Sequence, residues 1–261
     1  MYQDNETELS RRYLTEILRA LPQPFCLIGG WAVYLTLNEA FKKATGREYP
    51  FSRDIDLGFH LDPEWTPKEF RASSFGKAVA KIQEMGFEPE SFRFVKRYHL
   101  SQKRELTPTE KRRLPKYETF DLFVDFLVDT DDPRRSKVAG FNVLDEPLLA
   151  RAFSGSDMAT TKMDGISISM PSPRLLMEIK SRSLPRRTPD EKRTKDLIDL
   201  CGLLLYSGSK APSFPKTAEG GKLSADYIRA ISGIKDEEWG RVASALDITV
   251  VTAKRTARLI Q

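Results

Sequence analysis

The sequence predicts an α+β protein: a mixed sheet with flanking helices, followed by a helical C-terminal half. Short runs rich in β-branched and aromatic residues, such as Phe25–Ile28, Asp54–His60 and Phe120–Val128, all precede residue 171. Beyond it, apolar residues recur at helical spacing in one segment after another. A proline-rich seam at Ser169–Pro173 separates the two patterns, so the expected domains are residues 1–170 and 171–261.

The elements follow in order. Leu9, Tyr13, Ile17 and Leu18 give residues 6–20 an amphipathic helix, ended by Pro22 and Pro24. Phe25–Ile28 is a short apolar strand, Gly29-Gly30 a turn, and Trp31–Lys42 a helix through Val33, Tyr34, Leu37 and Phe41. After a loop at 46–52 comes the strand Asp54–His60, then a helix over Pro67–Met85 stopped by Gly86. Phe92–Leu100 has strand composition. Ser101–Glu118, charged and with two prolines, is expected as a loop or mobile arm. Phe120–Val128 is a strand, with further strands expected at Phe141–Leu144 and Ile166–Met170 and a helix at Pro147–Phe153. Helices are then expected over Arg174–Ser183, Pro189–Leu205, Ala225–Ile231, Asp236–Leu246 and Val250–Ile260.

Composition narrows the class. The 261 residues are 40% hydrophobic and 30% charged, enough for a sizeable core and typical of a globular protein. Nothing approaches the roughly 18 apolar residues in a row of a membrane span, and the polar start MYQDNETELSRRYLTE does not read as a secretory signal. A cytoplasmic protein without membrane contact is the expectation. Cys26 and Cys201 both sit in apolar stretches and read as buried, reduced thiols.

Chemistry enters with the carboxylates. On a strand, residues two apart share a face, so Asp54 and Asp56 project together while Ile55 and Leu57 point the other way. Like charges about 7 Å apart on a half-buried surface repel and lose solvation, and a cation between them relieves both costs. An ordinary strand end in water is the plainer alternative. FDLFVDFLVD, residues 120–129, adds Asp121, Asp125 and Asp129 at matching parity, with Asp125 the most enclosed by apolar neighbours. A divalent ion held by Asp54, Asp56 and Asp125 is one economical answer, and oxygen-only ligands suit Mg²⁺ or Mn²⁺. Gly29-Gly30, between a strand and a helix, would let backbone N–H groups approach a phosphate.

Taken together, IGGWAVYL, SRDIDLGF and FVDFLVD resemble the signature of the nucleotidyltransferase fold of the DNA polymerase β-like superfamily. That signature is a Gly-Gly or Gly-Ser turn, an Asp-x-Asp/Glu pair and a third carboxylate. The AbiEii-type branch of toxin nucleotidyltransferases is the nearest resemblance. It adds a lysine and a later Lys/Arg-Asp-x-x-Asp helix, matched here by Lys180 and by Lys195, Asp196 and Asp199. The resemblance covers about residues 20–205. Two departures stand out: Gly30 replaces the serine of many members, and the gap from Gly30 to Asp54 is longer than in compact ones.

The resemblance implies transfer of a nucleoside monophosphate from an NTP to an acceptor hydroxyl. Two Mg²⁺ (or Mn²⁺) ions would sit on Asp54, Asp56 and Asp125. Gly29, Gly30, Lys180, Asp196 and Asp199 would serve the nucleotide, with Lys180 on the triphosphate; helix-surface ion pairing is the plainer role for Asp196 and Asp199. The formal net charge is +5, with basic runs over 93–116 and 180–195 that would suit an RNA backbone. A tRNA or other RNA end is therefore the favoured acceptor and a protein hydroxyl the alternative. An antitoxin partner is implied if the chain is a toxin. The competing reading is a catalytically inactive module that keeps the fold to hold a nucleotide or partner. His60 and His99 form no metal or catalytic pattern.

Overall fold

The computed structural model describes residues 4–50, 52–130, 142–188 and 191–260. Helix α1 (Asp4–Ala20) buries Tyr13, Leu14, Ile17 and Leu18 as one stripe and leads to strand β1 (Cys26–Ile28). Helix α2 (Gly29–Thr45) starts directly from that strand, because Gly29 takes a φ of +65°, open to glycine without strain. Strand β2 (Ile55–Phe59) follows, then helices α3 (Pro67–Ala72) and α4 (Ser74–Glu84). The single helix expected over Pro67–Met85 is therefore two. Ser73 at φ −67°, ψ 168° leaves the helical region and caps α4 by accepting from the Gly76 N–H.

Strands β3 (Glu88–Glu90), β4 (Arg93–His99), β5 (Arg104–Glu105), β6 (Thr119–Val128) and β7 (Leu144–Asp145) complete the main sheet. Its order is β1-β2-β6-β4-β3, with β5 on β4 and β7 on β6. β2 and β7 run parallel to β6, whereas β1–β2, β6–β4, β4–β3 and β4–β5 are antiparallel, so the sheet is mixed. The segment expected as a loop or mobile arm at 101–118 is built: β5, helix α5 (Glu110–Arg113) and a 3-10 turn at Lys116–Glu118 occupy it. Thr107 and Glu110 fasten it, the carboxylate accepting from both the Thr107 N–H and hydroxyl at 2.9 Å.

Alternation of side chains on β6 sets where the core lies. Phe120, Leu122, Val124, Phe126 and Val128 are buried on one face, with Ile55, Leu57 and Phe59 of β2 beside them. The Phe126 ring packs 4.7 Å from Phe59, 5.1 Å from Phe94 and 5.8 Å from Phe75 of α4. The opposite face of β2 and β6 is thus left to the aspartates. Helix α6 (Leu149–Phe153) precedes a two-stranded ribbon, β8 (Met158–Met163) with β9 (Ile166–Pro171). Asp164 and Gly165 turn it at φ +50° and +79°, as tight two-residue hairpins require.

Helices α7 (Pro173–Ser183), α8 (Glu191–Tyr206), α9 (Ala218–Ser232), α10 (Asp236–Leu246) and α11 (Val250–Ala257) form the helical half. α9 begins earlier than expected, with Thr217 capping it by accepting from the Gly220 N–H. The expected strand residue Phe141 and helix residue Pro189 lie outside the described residues. The chain divides into two units, Met1–Trp31 with Phe51–Met170, and Ala32–Pro50 with Pro171–Gln261. In the second, Phe41 meets the rings of Tyr49 and Tyr206 edge-on at 5.4 and 5.3 Å. Gly202 leaves room on α8 for the Tyr49 hydroxyl, which a Cβ would meet at 2.8 Å. No helix among the described residues is long and apolar enough to cross a membrane.

Candidate active site

The face of the sheet turned away from the phenylalanine core carries a row of charged side chains. Asp56 on β2 is the parallel partner of Asp125 on β6, and Asp125 is the antiparallel partner of Arg93 on β4. Directly opposed residues share a face, and neighbouring strands lie about 4.8 Å apart, so Asp56, Asp125 and Arg93 stand in line across three strands.

Asp125 is 5% exposed, and the cost of burying it is met by Arg93. The guanidinium grips the carboxylate with both prongs, Nε to Oδ1 at 2.9 Å and Nη2 to Oδ2 at 2.5 Å. The same guanidinium lies 4.2 Å over the Phe123 ring and 5.0 Å over Phe92, which fixes its plane.

Asp56 is seated on the start of α2. A Cβ added at Gly29 would fall 1.9 Å from Asp56 Oδ2 and 2.7 Å from its Cγ, so the carboxylate occupies the space that the glycine leaves. Gly30 is close-packed too: its Cβ would come 2.6 Å from the Ser52 Oγ. Ser52 donates in turn to the Asp54 carbonyl at 3.1 Å, shaping the bend that delivers Asp54 to β2. The Asp54 side chain lies 3.7 Å from the Arg53 Nε. Both glycines are thus required by contacts within the protein, whatever else their N–H groups meet. Further along the face, Asp129 accepts from the Leu61 N–H at 2.9 Å and lies 2.5 Å from His60 Nδ1.

As donors, Asp54, Asp56 and Asp125 suit a hard, oxygen-seeking cation, and the hollow at Gly29 fixes one of them in place. Of the three, Asp56 and Asp125 are register partners on adjacent strands, whereas Asp54 lies in the bend before β2. Among the described residues, however, no group of three His, Cys, Asp or Glu side chains is gathered closely enough to hold one. Arg93, which engages both oxygens of Asp125, is the positive charge in the row.

Lys180, Asp196 and Asp199 lie in the second unit and bind one another. The Lys180 ammonium, on α7, reaches Asp196 Oδ1 at 2.8 Å and Asp199 Oδ2 at 2.9 Å, both on α8. Arg187 donates to Asp196 at 2.7 Å, the Tyr49 hydroxyl donates to Asp199 at 3.0 Å, and Lys195 also pairs with Asp199. Burial disfavours the Lys180 charge, yet the fields of Asp196 and Asp199 overcome it and raise its pKa. Lys195 goes the other way: burial outweighs Asp199, Lys180 adds repulsion, and its pKa is lowered. For Asp196, burial pushes the carboxyl up, but Lys180 and Arg187 together win and lower it. A lowered carboxyl stabilises the fold above its unfolded pKa and loses that contribution as the pH falls through the folded value. Thermal scans from pH 6 to pH 2 should therefore show a falling melting temperature below about pH 4. Asp196→Asn should flatten that slope; an unchanged slope would remove Asp196 from the acid response.

The basic runs are largely neutralised within the protein. Arg97 pairs with Glu90 and Asp121, Lys103 with Glu8, Arg104 with Glu110, and Lys111 with Glu88. Lys96 is buried, donating to the Met85 carbonyl and pairing with Glu105, and Arg193 is held by Glu238. Arg112, Arg113 and Lys116 are exposed, next to a Tyr117 that is 79% exposed. Cys26 and Cys201 are both buried free thiols whose pKa burial pushes up to about 12.

Sequence reasoning missed Arg93, which it placed in a basic run suited to an RNA backbone. A signal was available: Arg93 and Arg97 are four residues apart, as are Asp121 and Asp125, the spacing that matches two antiparallel strands charge to charge. No family model and no curated protein matches the sequence. Among solved structures, the chain is similar to an antigenic nucleotidyltransferase-like protein from Paracoccidioides brasiliensis. The identity is 17% and the TM-score 0.47, over 94% of this chain and 93% of that one.

Proposed function

We propose that the protein is a nucleotidyltransferase that moves a nucleoside monophosphate from an NTP to an acceptor hydroxyl. The observation that carries this reading is the pairing of Asp56 with Asp125 on adjacent parallel strands, with Asp56 set against the Gly29 start of a helix. Asp54, Asp56 and Asp125 would hold Mg²⁺ or Mn²⁺, which supplies charge neutralisation and polarises the transferring phosphoryl group. The first N–H groups of α2, at Gly29 and Gly30, offer an anion site at a helix N-terminus, where a triphosphate is favoured. Catalysis of this type is mostly positioning and electrostatics, which a rigid sheet face supplies.

Lys180, Asp196 and Asp199 enter through the family resemblance. Their mutual ion pairs support a role in which the two aspartates orient the lysine. An RNA end remains the acceptor we favour. The support is narrower than the basic runs promised and rests on exposed Arg112, Arg113 and Lys116 beside exposed Tyr117, a cation-and-stacking surface for a single strand. The toxin setting and an antitoxin partner rest on the resemblance alone. The grip of Arg93 on Asp125 favours a second reading, an inactive module that binds a nucleotide without turning it over.

Each α-³²P-labelled NTP, with Mg²⁺ or Mn²⁺ and total RNA or protein, tests both readings. Wild type should label one acceptor class, and Asp56→Asn and Asp125→Asn should each lose the label by at least 100-fold. Tyr117→Ala should weaken labelling of RNA alone. Metal-dependent nucleotide binding without transfer to any acceptor would install the second reading, and absence of both would end the first.

A further inference from the structure

Within the proposed site, on which this inference rests, Asp125 has two neighbours in the row: the like charge of Asp56 on one side and the guanidinium of Arg93 on the other. We propose that Arg93 is a competitor for the metal site, a built-in counter-ion that must yield Asp125 before a divalent cation can be held by the full carboxylate set.

Three observations carry this. The guanidinium takes a lone pair on each Asp125 oxygen and sets its positive charge against both, so a divalent cation that joins Asp125 meets that charge at close range while the bidentate pair is intact. The pair is also enclosed, with side-chain exposures of 16% for Arg93 and 8% for Asp125, so water screens it little. Arg93 has somewhere to remain, too. Its guanidinium already lies over Phe123 and Phe92, and those ring faces keep attracting a cation when the carboxylate is taken from it. Exchange therefore costs a buried ion pair but does not strand a charge in an apolar site.

A consequence is that the protein alone should take divalent cations weakly, at a strength set by residue 93. The readout is Mn²⁺ binding, followed by the loss of the free Mn²⁺ electron paramagnetic resonance signal, which needs neither acceptor nor turnover. Arg93→Met is expected to tighten Mn²⁺ at least tenfold, and Arg93→Met with Asp125→Asn to return it to the wild-type level or weaker. Arg93→Lys keeps the charge without the two-pronged grip and should fall between. It also serves where Arg93→Met destabilises the fold, which circular dichroism would reveal. Asp56→Asn separates the two levels of the argument. If it binds Mn²⁺ as wild type does, the metal-site reading itself fails. If it loses Mn²⁺ while Arg93→Met and Arg93→Lys bind no tighter than wild type, the competition is refuted and the site stands.

Discussion

Lys180→Met is expected to lower the melting temperature by about 10 °C. The lysine is 8% exposed and bridges Asp196 and Asp199, two carboxylates on the same face of α8. Methionine matches the length of the lysine stem, so no cavity confuses the result. What changes is charge: Asp196 is left to Arg187, and Asp199 to Lys195 and Tyr49. Breaking a buried ion pair by deleting one partner costs roughly 3–5 kcal/mol, and each kcal/mol is worth about 2–4 °C in a chain of this size. Lys180→Met with Asp199→Asn should recover part of the loss, because removing both charges is far cheaper than removing one. Differential scanning fluorimetry of the single and double variants checks this. The outcome also bears on the lysine's role. A variant that keeps its melting temperature but loses nucleotide binding would place the ammonium on the triphosphate, not on the two aspartates.

Much of this was legible in the sequence wherever the signal is local. The period-2 rule put Asp56 on the face of β2 opposite the buried Ile55 and Leu57, and the apolar alternation from Phe120 to Val128 identified both β6 and its Asp125. Asp54, expected on the same strand, lies instead in the bend before it. Legibility failed where a partner is distant along the chain. Tyr49 bonds Asp199 from 150 positions away, and no spacing in either segment announces that contact. The grouping of Ala32–Pro50 with the helical half depends likewise on where Leu37, Phe41 and Tyr49 find their neighbours. β8 was missed because its middle residues, Thr160, Thr161 and Lys162, are polar, so its pattern has no apolar stripe. The helix break at Ser73 was overridden by good apolar periodicity on both sides. Only the capping hydroxyl, and a Gly76 whose Cβ would strike the Phe70 carbonyl at 2.4 Å, reveal it.

Gly29→Ala should abolish nucleotidyl transfer while leaving most of the fold, and its effect separates two jobs that one glycine performs. The residue sits at φ +65°, which costs an alanine about 1–2 kcal/mol, a tolerable loss. The steric term is larger in consequence. A methyl group 1.9 Å from Asp56 Oδ2 and 2.7 Å from Cγ cannot coexist with the carboxylate where it stands, so Asp56 must swing away. A displacement on the order of 1 Å at a positioned catalytic group is enough for a 100-fold loss. Gly29→Ala should therefore match Asp56→Asn in transfer and in Mn²⁺ binding, although the carboxylate is still present. Gly30→Ala is the control. Its methyl would meet Ser52, 2.6 Å to Oγ, so Gly30→Ala with Ser52→Gly should restore what Gly30→Ala loses. Gly29→Ala with Asp56→Gly should regain stability but no transfer. If Gly29→Ala instead transferred nucleotide at the wild-type rate, Asp56 would not be acting from the position where α2 seats it, and the site would have to be built without that carboxylate.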